Sequence, residues 1–169
     1  MGRAIQWGLL VREIGLLSVG AGLSVVALRL ELAFTAALVA LIATAQLCFY
    51  LFTTFRRVFN HINGEDMDVS NCLISLAIMT AFFVTAYGVN YCLLTLADGA
   101  AIKNFAPASL FYRLVDGLYF STVTFTATGF GEYVPATYPA KVVVWGEMVL
   151  GFTTTVFAVS SFISLTDKD

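Results

Sequence analysis

Four long apolar runs dominate the chain, over Ile5–Leu28, Leu32–Phe55, Ser70–Ala97 and Ala140–Leu165, with short polar stretches between them. Each run is apolar around its whole circumference rather than on one face, the pattern of a helix surrounded by apolar material. At 1.5 Å per residue, about 20 residues cross a hydrocarbon core of about 30 Å, so each run is long enough to span. Arg12 and Glu13 interrupt the first half of the first run. A first span is still favoured there over a cleaved signal peptide, with Arg12 reaching an interface and Glu13 pairing nearby. A further stretch, from about Leu114 to Thr126, reads as a helix too short to cross, and is expected to re-enter the membrane buried among protein rather than lipid. The expected fold class is therefore all-α and integral to a membrane, with four spans and one re-entrant helix between the third and fourth.

The polar stretches divide the chain. Arg29-Leu30-Glu31 is a very short turn, which makes residues 1–57 an antiparallel hairpin. Residues 58–69 form a connector, and Arg56, Arg57, His61, Asn63, Gly64, Glu65, Asp66 and Asp68 give this region its polarity, with a turn at Gly64. His61 reads as a solvated loop histidine there. Residues 70–165 hold the third span, an irregular connector over Asp98–Tyr112, the short helix, a polar segment and the last span, and 166–169 are a short tail. Pro135 and Tyr138-Pro139 stop the extended segment and start the last helix. Cys48, Cys72 and Cys92 all fall inside apolar runs without ligand-type spacing and read as small buried hydrophobes.

Composition agrees with the pattern. Hydrophobic residues make up 59% of 169 and charged residues 12%, with mean hydropathy +0.86, which does not describe a water-facing surface. A net charge of −2 leaves no basic footprint for nucleic acid. One histidine with no nucleophile–base pair near it offers no catalytic constellation, so an enzyme is not expected. The first two spans also lack arginines at every third position, the series a voltage-sensing helix needs.

The polar segment Thr122-Val-Thr-Phe-Thr-Ala-Thr-Gly-Phe-Gly-Glu132 carries the candidate chemistry. Gly129 and Gly131 alternate with side-chain-bearing residues. A backbone whose successive carbonyls point the same way alternates the sign of φ, and glycine supplies the positive values without a Cβ penalty. Rings of such carbonyls, with threonine hydroxyls at the inner end, can replace the hydration shell of a monovalent cation. One chain supplies only part of each ring, so several copies about an axis are required.

Thr126-Ala-Thr-Gly-Phe-Gly-Glu132 resembles the selectivity-filter signature of tetrameric potassium channels, Thr-Thr-Val-Gly-Tyr-Gly-Asp. Leu118–Thr126 is similar to the family's pore helix, and Pro135, Glu147 and Gly151 stand where small bacterial channels carry Pro, Glu and Gly. The resemblance covers roughly the C-terminal half. It implies a homotetramer in the cell membrane, with both termini cytoplasmic, conducting potassium passively. Thr126, Ala127, Thr128, Gly129, Phe130 and Gly131 would be the filter, with K+ on the carbonyls of Thr128, Gly129 and Phe130, and Glu132 its outer flank. Gly151 would be the hinge of the last helix, and Phe152, Thr155, Val159 and Ile163, which share one helical face, would line the pore. No cofactor is implied beyond the permeant ion; lipid and monovalent cations are the other partners.

The chain departs from that signature at Ala127 and Thr128. Alanine keeps a carbonyl but no hydroxyl, so the innermost site is expected to be weaker and wetter, and Ala127→Thr to raise its occupancy. Weak selectivity among monovalent cations is the alternative on the same scaffold, and a non-conducting scaffold or accessory subunit is the alternative of another class. Glu147 lies inside the last span and, being costly there, is expected to hydrogen-bond to protein near the base of the filter, where even Glu147→Gln should disturb it.

Overall fold

The computed structural model describes residues 35–62, 69–105 and 109–166, with the single positions Val11, Gly15, Ser18, Val19, Gly22 and Val26. The expected first span with Arg12 and Glu13, the turn at Arg29–Glu31, residues 63–68 of the connector and residues 167–169 lie outside the described residues. So do the side chains of Arg56, Arg57, His61 and Cys72.

Within these bounds the elements run α1 (Thr35–Ile62), α2 (Val69–Ala97), β1 (Ile102–Lys103), α3 (Leu110–Phe125), β2 (Val134–Pro135) and α4 (Tyr138–Thr166). Among the described residues, three helices are long and apolar enough to cross a membrane, over Ala36–Thr53, Leu76–Ala97 and Tyr138–Ser160. The 16 residues of α3 extend about 24 Å, less than a hydrocarbon core of about 30 Å. The protein is an all-helical, multi-pass membrane protein.

Two boundaries differ from the sequence pattern. α1 continues to Ile62, so Arg56, Arg57 and His61 belong to a helix and not to a polar loop. Nothing before Asn63-Gly64 breaks a helix, and arginine is a good helix former, so polarity marks where a helix leaves apolar surroundings rather than where it ends. α3 begins at Leu110, one turn ahead of the expected Leu114.

Small and polar residues hold the helices together, as expected where lipid removes the hydrophobic drive for association. α2 and α3 cross at Gly88 and Gly117. A Cβ on Gly117 would overlap the Gly88 carbonyl oxygen, and one on Gly88 would lie 2.9 Å from Leu118 Cα. α1 lies against both α2 and α4. Tyr87 Oη of α2 donates to the Ala43 carbonyl (3.3 Å), and Asn90 Nδ2 donates to Gln46 Oε1 (2.9 Å). Tyr50 Oη is 2.6 Å from Thr154 Oγ1 on α4, and its ring meets Phe83 edge-on with centroids 4.5 Å apart. Cys92 is buried here as expected, but Cys48 is exposed on the outer side of α1. An apolar run does not show which of its faces meets protein and which meets lipid.

β1 and β2 pair antiparallel, Ile102 with Pro135 and Lys103 with Val134. Ala136 N extends the ladder to the Ala101 carbonyl at 2.9 Å. This small sheet fastens the connector before α3 to the chain that follows residues 126–132. The connector had no periodicity to reveal it, because two residues per strand are too few.

Candidate functional site between α3 and β2

α3 ends in a Schellman motif. Phe125 is its last helical residue, Thr126 caps it in the right-handed region, and Ala127 turns left-handed at φ +55°. Thr128 N donates to the Val123 carbonyl (3.0 Å) and Ala127 N to the Thr124 carbonyl (3.1 Å), the six-to-one and five-to-two bonds of the motif. Glycine usually holds the left-handed place because it has no Cβ to clash. After it the positive values recur at Gly129 (φ +56°) and Gly131 (φ +85°). The alternation therefore starts one step earlier than the glycines suggest, at Ala127. This changes the expectation for Ala127→Thr, since a β-branched residue is a steric outlier at such a φ.

Every residue from Thr126 to Glu132 is exposed, with Phe130 at 69%. Three hydroxyls secure the inner end. Thr122 Oγ1 donates to the Leu118 carbonyl (2.8 Å), Thr126 Oγ1 to the Thr122 carbonyl (2.8 Å), and Thr126 Oγ1 and Thr128 Oγ1 lie 2.8 Å apart. At the outer end Asn104 Nδ2 donates to the Glu132 carbonyl (2.8 Å), and the Tyr119 hydroxyl donates to the Glu132 carboxylate. That bond holds the Tyr119 phenol above its usual pKa, with smaller contributions from burial and the carboxylate charge. Tyr133 packs against Phe105 (5.2 Å) and Phe120 (5.8 Å). Burial, then a hydrogen bond to Asp116, raises its phenol as well. A cavity of about 220 Å³ lies behind the segment, lined chiefly by apolar groups of Phe120, Val123, Tyr133, Val144 and Met148.

Glu147 sits on α4 beneath this segment and is fully buried. Tyr91 Oη of α2 donates to Glu147 Oε2 (2.5 Å), and Ser121 Oγ of α3 bonds to Glu147 Oε1. Ser121 Oγ also donates to the Val84 carbonyl at 2.8 Å. A hydroxyl carries one proton, so Ser121 cannot donate to both partners. All of these contacts are satisfied together when the second hydrogen comes from the carboxyl. An amide keeps one acceptor and one such donor but brings a second N–H into the buried site, so the expected sensitivity to Glu147→Gln comes from that added donor and not from loss of these contacts.

Gly151 lies one turn beyond Glu147, buried against the end of α3. A Cβ there would overlap the Phe125 carbonyl oxygen and lie 3.0 Å from its carbon. Gly151 is therefore demanded by close approach, whatever it contributes to bending. Phe152 (73% exposed), Thr155, Val159 and Ile163 lie along one exposed face of α4 with Trp145 and Met148. The structure thus gathers Thr126–Glu132, Glu147 and Gly151 around the end of α3 and leaves the other four residues on an open face. Sequence reasoning missed Tyr91, Ser121 and Asn104. A buried carboxyl signals that donors must exist, but not which polar residues of distant helices provide them.

Crossing helices, a helix too short to cross and an exposed alternating backbone loop held at both ends define a multi-pass, helical membrane protein. Residues 90–168, just under half of the chain, match a family model described as ion channel, which supports an ion-channel family. No curated protein matches the chain. No solved structure matches it either. A match of this kind implies transport rather than catalysis.

Proposed function

We propose that four copies assemble about an axis and conduct potassium passively between them. The observation that carries this reading is the alternation of positive φ at Ala127, Gly129 and Gly131 in a fully exposed segment of an ion-channel domain. Such alternation turns successive carbonyls to one side, and rings of these oxygens replace a cation's water. In this reading Thr126–Gly131 form the filter, with K+ on the carbonyls of Thr128, Gly129 and Phe130, and Glu132 stands at the mouth. α3 is the re-entrant pore helix, and the negative end of its dipole faces the dehydrated ion.

The open stripe Trp145, Met148, Phe152, Thr155, Val159 and Ile163 supplies the rest. A continuous exposed apolar face on a helix end to end suits contact with further copies and a lining for the pore. Gly151 serves the inner helix as packing point and hinge, and Glu147 buttresses the filter from behind. The first two apolar runs, Ile5–Leu28 and Leu32–Phe55, carry no spaced arginine series, so gating does not use a voltage sensor of that kind. The protein resides in the cell membrane with both termini cytoplasmic. Ala127 favours a second reading, weak selectivity among monovalent cations, because no side-chain hydroxyl stands at that place.

Purified protein in a planar bilayer, under bi-ionic potassium and sodium, tests these readings together with native mass. A particle of four subunits and a reversal potential displaced toward potassium are expected. Equal permeabilities support the weakly selective channel. Absence of current from a correctly inserted protein overturns conduction and leaves a membrane scaffold.

A further inference from the structure

We infer that the Thr128 hydroxyl is a positioning group for ion selection, fastening the start of the filter to the end of α3 through Thr126; the inference rests on the channel reading above. Thr128 Oγ1 lies 2.8 Å from Thr126 Oγ1, which itself lies 2.8 Å from the Thr122 carbonyl. The proton count gives the chain a direction. A carbonyl only accepts, so the Thr126 proton goes to Thr122 and the Thr128 proton goes to Thr126.

The link spans the one residue that strains this turn. Ala127 is held at φ +55°, and a non-glycine residue keeps such a φ only where its surroundings over-determine it. Two backbone bonds fix it from the helix side, Ala127 N to the Thr124 carbonyl and Thr128 N to the Val123 carbonyl. The hydroxyl link closes the third side of the same turn. The Thr128 carbonyl is a proposed ligand, and rotation of its peptide moves that oxygen on or off the ring. The Thr128 side chain thus acts on the ion through its own backbone and not by touching it. Valine, which stands at this place in the resembled signature, has the same shape as threonine but no proton to give. The latch is therefore a property of this chain, joined to the presence of alanine at 127.

Bi-ionic reversal potentials of the unmodified protein, Thr128→Val and Thr128→Ser test the latch. Loss of an ordinary hydrogen bond corresponds to a change of about threefold to tenfold, so Thr128→Val should raise the sodium-to-potassium permeability ratio by that factor. Thr128→Ser restores the hydroxyl and should recover most of the difference. A valine variant with an unshifted ratio, or a serine variant matching valine, overturns the inference. Thermal unfolding of the assembly gives a second measurement that needs no current. Thr126→Val and Thr128→Val each remove the same link, so together they should destabilise by less than the sum of the two alone. Additive losses overturn the latch even in a protein that carries no current, whereas absence of current in the unmodified protein counts only against conduction.

Discussion

Gly151 and Phe125 meet backbone to backbone: α4 passes so close to the last residue of α3 that no Cβ fits between them. The contact joins the inner helix to the base of the turn at 126–128. A pure hinge would let Gly151→Ala change opening while leaving ion preference alone. The contact requires more. Overpacking of this kind costs about 1–3 kcal/mol, and relief here means moving the end of α3. Gly151→Ala should therefore lower the thermal stability of the assembly and shift its reversal potential. Altered open probability with both of these unchanged would restore the hinge as the main role.

Glu147 offers a test of hydrogen count. Its carboxyl meets Tyr91 on α2 and Ser121 on α3, tying three helices at one buried point. Glu147→Gln keeps one acceptor for Tyr91 and one donor for Ser121 but adds a second N–H to the buried site, so it should destabilise the assembly, by less than a substitution that removes both contacts. Glu147→Leu leaves the buried Tyr91 hydroxyl without this acceptor, a loss of about 1–3 kcal/mol. Adding Tyr91→Phe should recover part of it, which a thermal double-mutant cycle measures.

α1 lies wholly before the family-matched residues, which begin at 90, yet it bonds directly to α4. Thr154 Oγ1 donates to the Leu150 carbonyl at 2.8 Å, so Tyr50 is the donor in the 2.6 Å pair. Tyr50→Phe removes that donor and keeps the ring against Phe83. A stability loss of about 0.5–1.5 kcal/mol is expected, together with a changed open probability, since Thr154 follows Gly151 by less than one helical turn. Single-channel records at matched voltage provide the check. An unchanged open probability would confine the α1–α4 contact to folding.

The long elements were legible because their signal is long. Mostly apolar windows of 18, 22 and 23 residues mark three crossing helices among the described residues, and Gly129 and Gly131 mark the alternating segment. What escaped was short or depended on another helix. The pairing of Ile102–Lys103 with Val134–Pro135 leaves no period to read, and nothing in the run around Cys48 tells which side of α1 is open. Arg56 and Arg57 mislead because charge marks where a helix leaves apolar surroundings and not where it ends. Ala127 escaped for a related reason. Its conformation comes from the two backbone bonds that end α3, whereas composition points to glycine alone as the bearer of positive φ.

That conformation reverses the outlook for the substitution the resembled signature invites. Ala127→Thr supplies a hydroxyl, but it also places a β-branched side chain at φ +55°, where even alanine pays about 1–2 kcal/mol relative to the right-handed region. Glycine carries no such penalty. Ala127→Gly should therefore raise the melting temperature of the assembly, offset in part by the greater freedom glycine gains when unfolded. Ala127→Thr should lower it, and any gain in potassium preference from the hydroxyl must appear against that loss. Thermal unfolding of the three proteins in potassium and in sodium separates the two effects. The backbone term is common to both ions, and an ion-binding term appears only as a larger potassium-dependent shift in the threonine variant. A threonine variant at least as stable as the glycine one in sodium would show that residue 127 does not hold the left-handed conformation in the assembled protein.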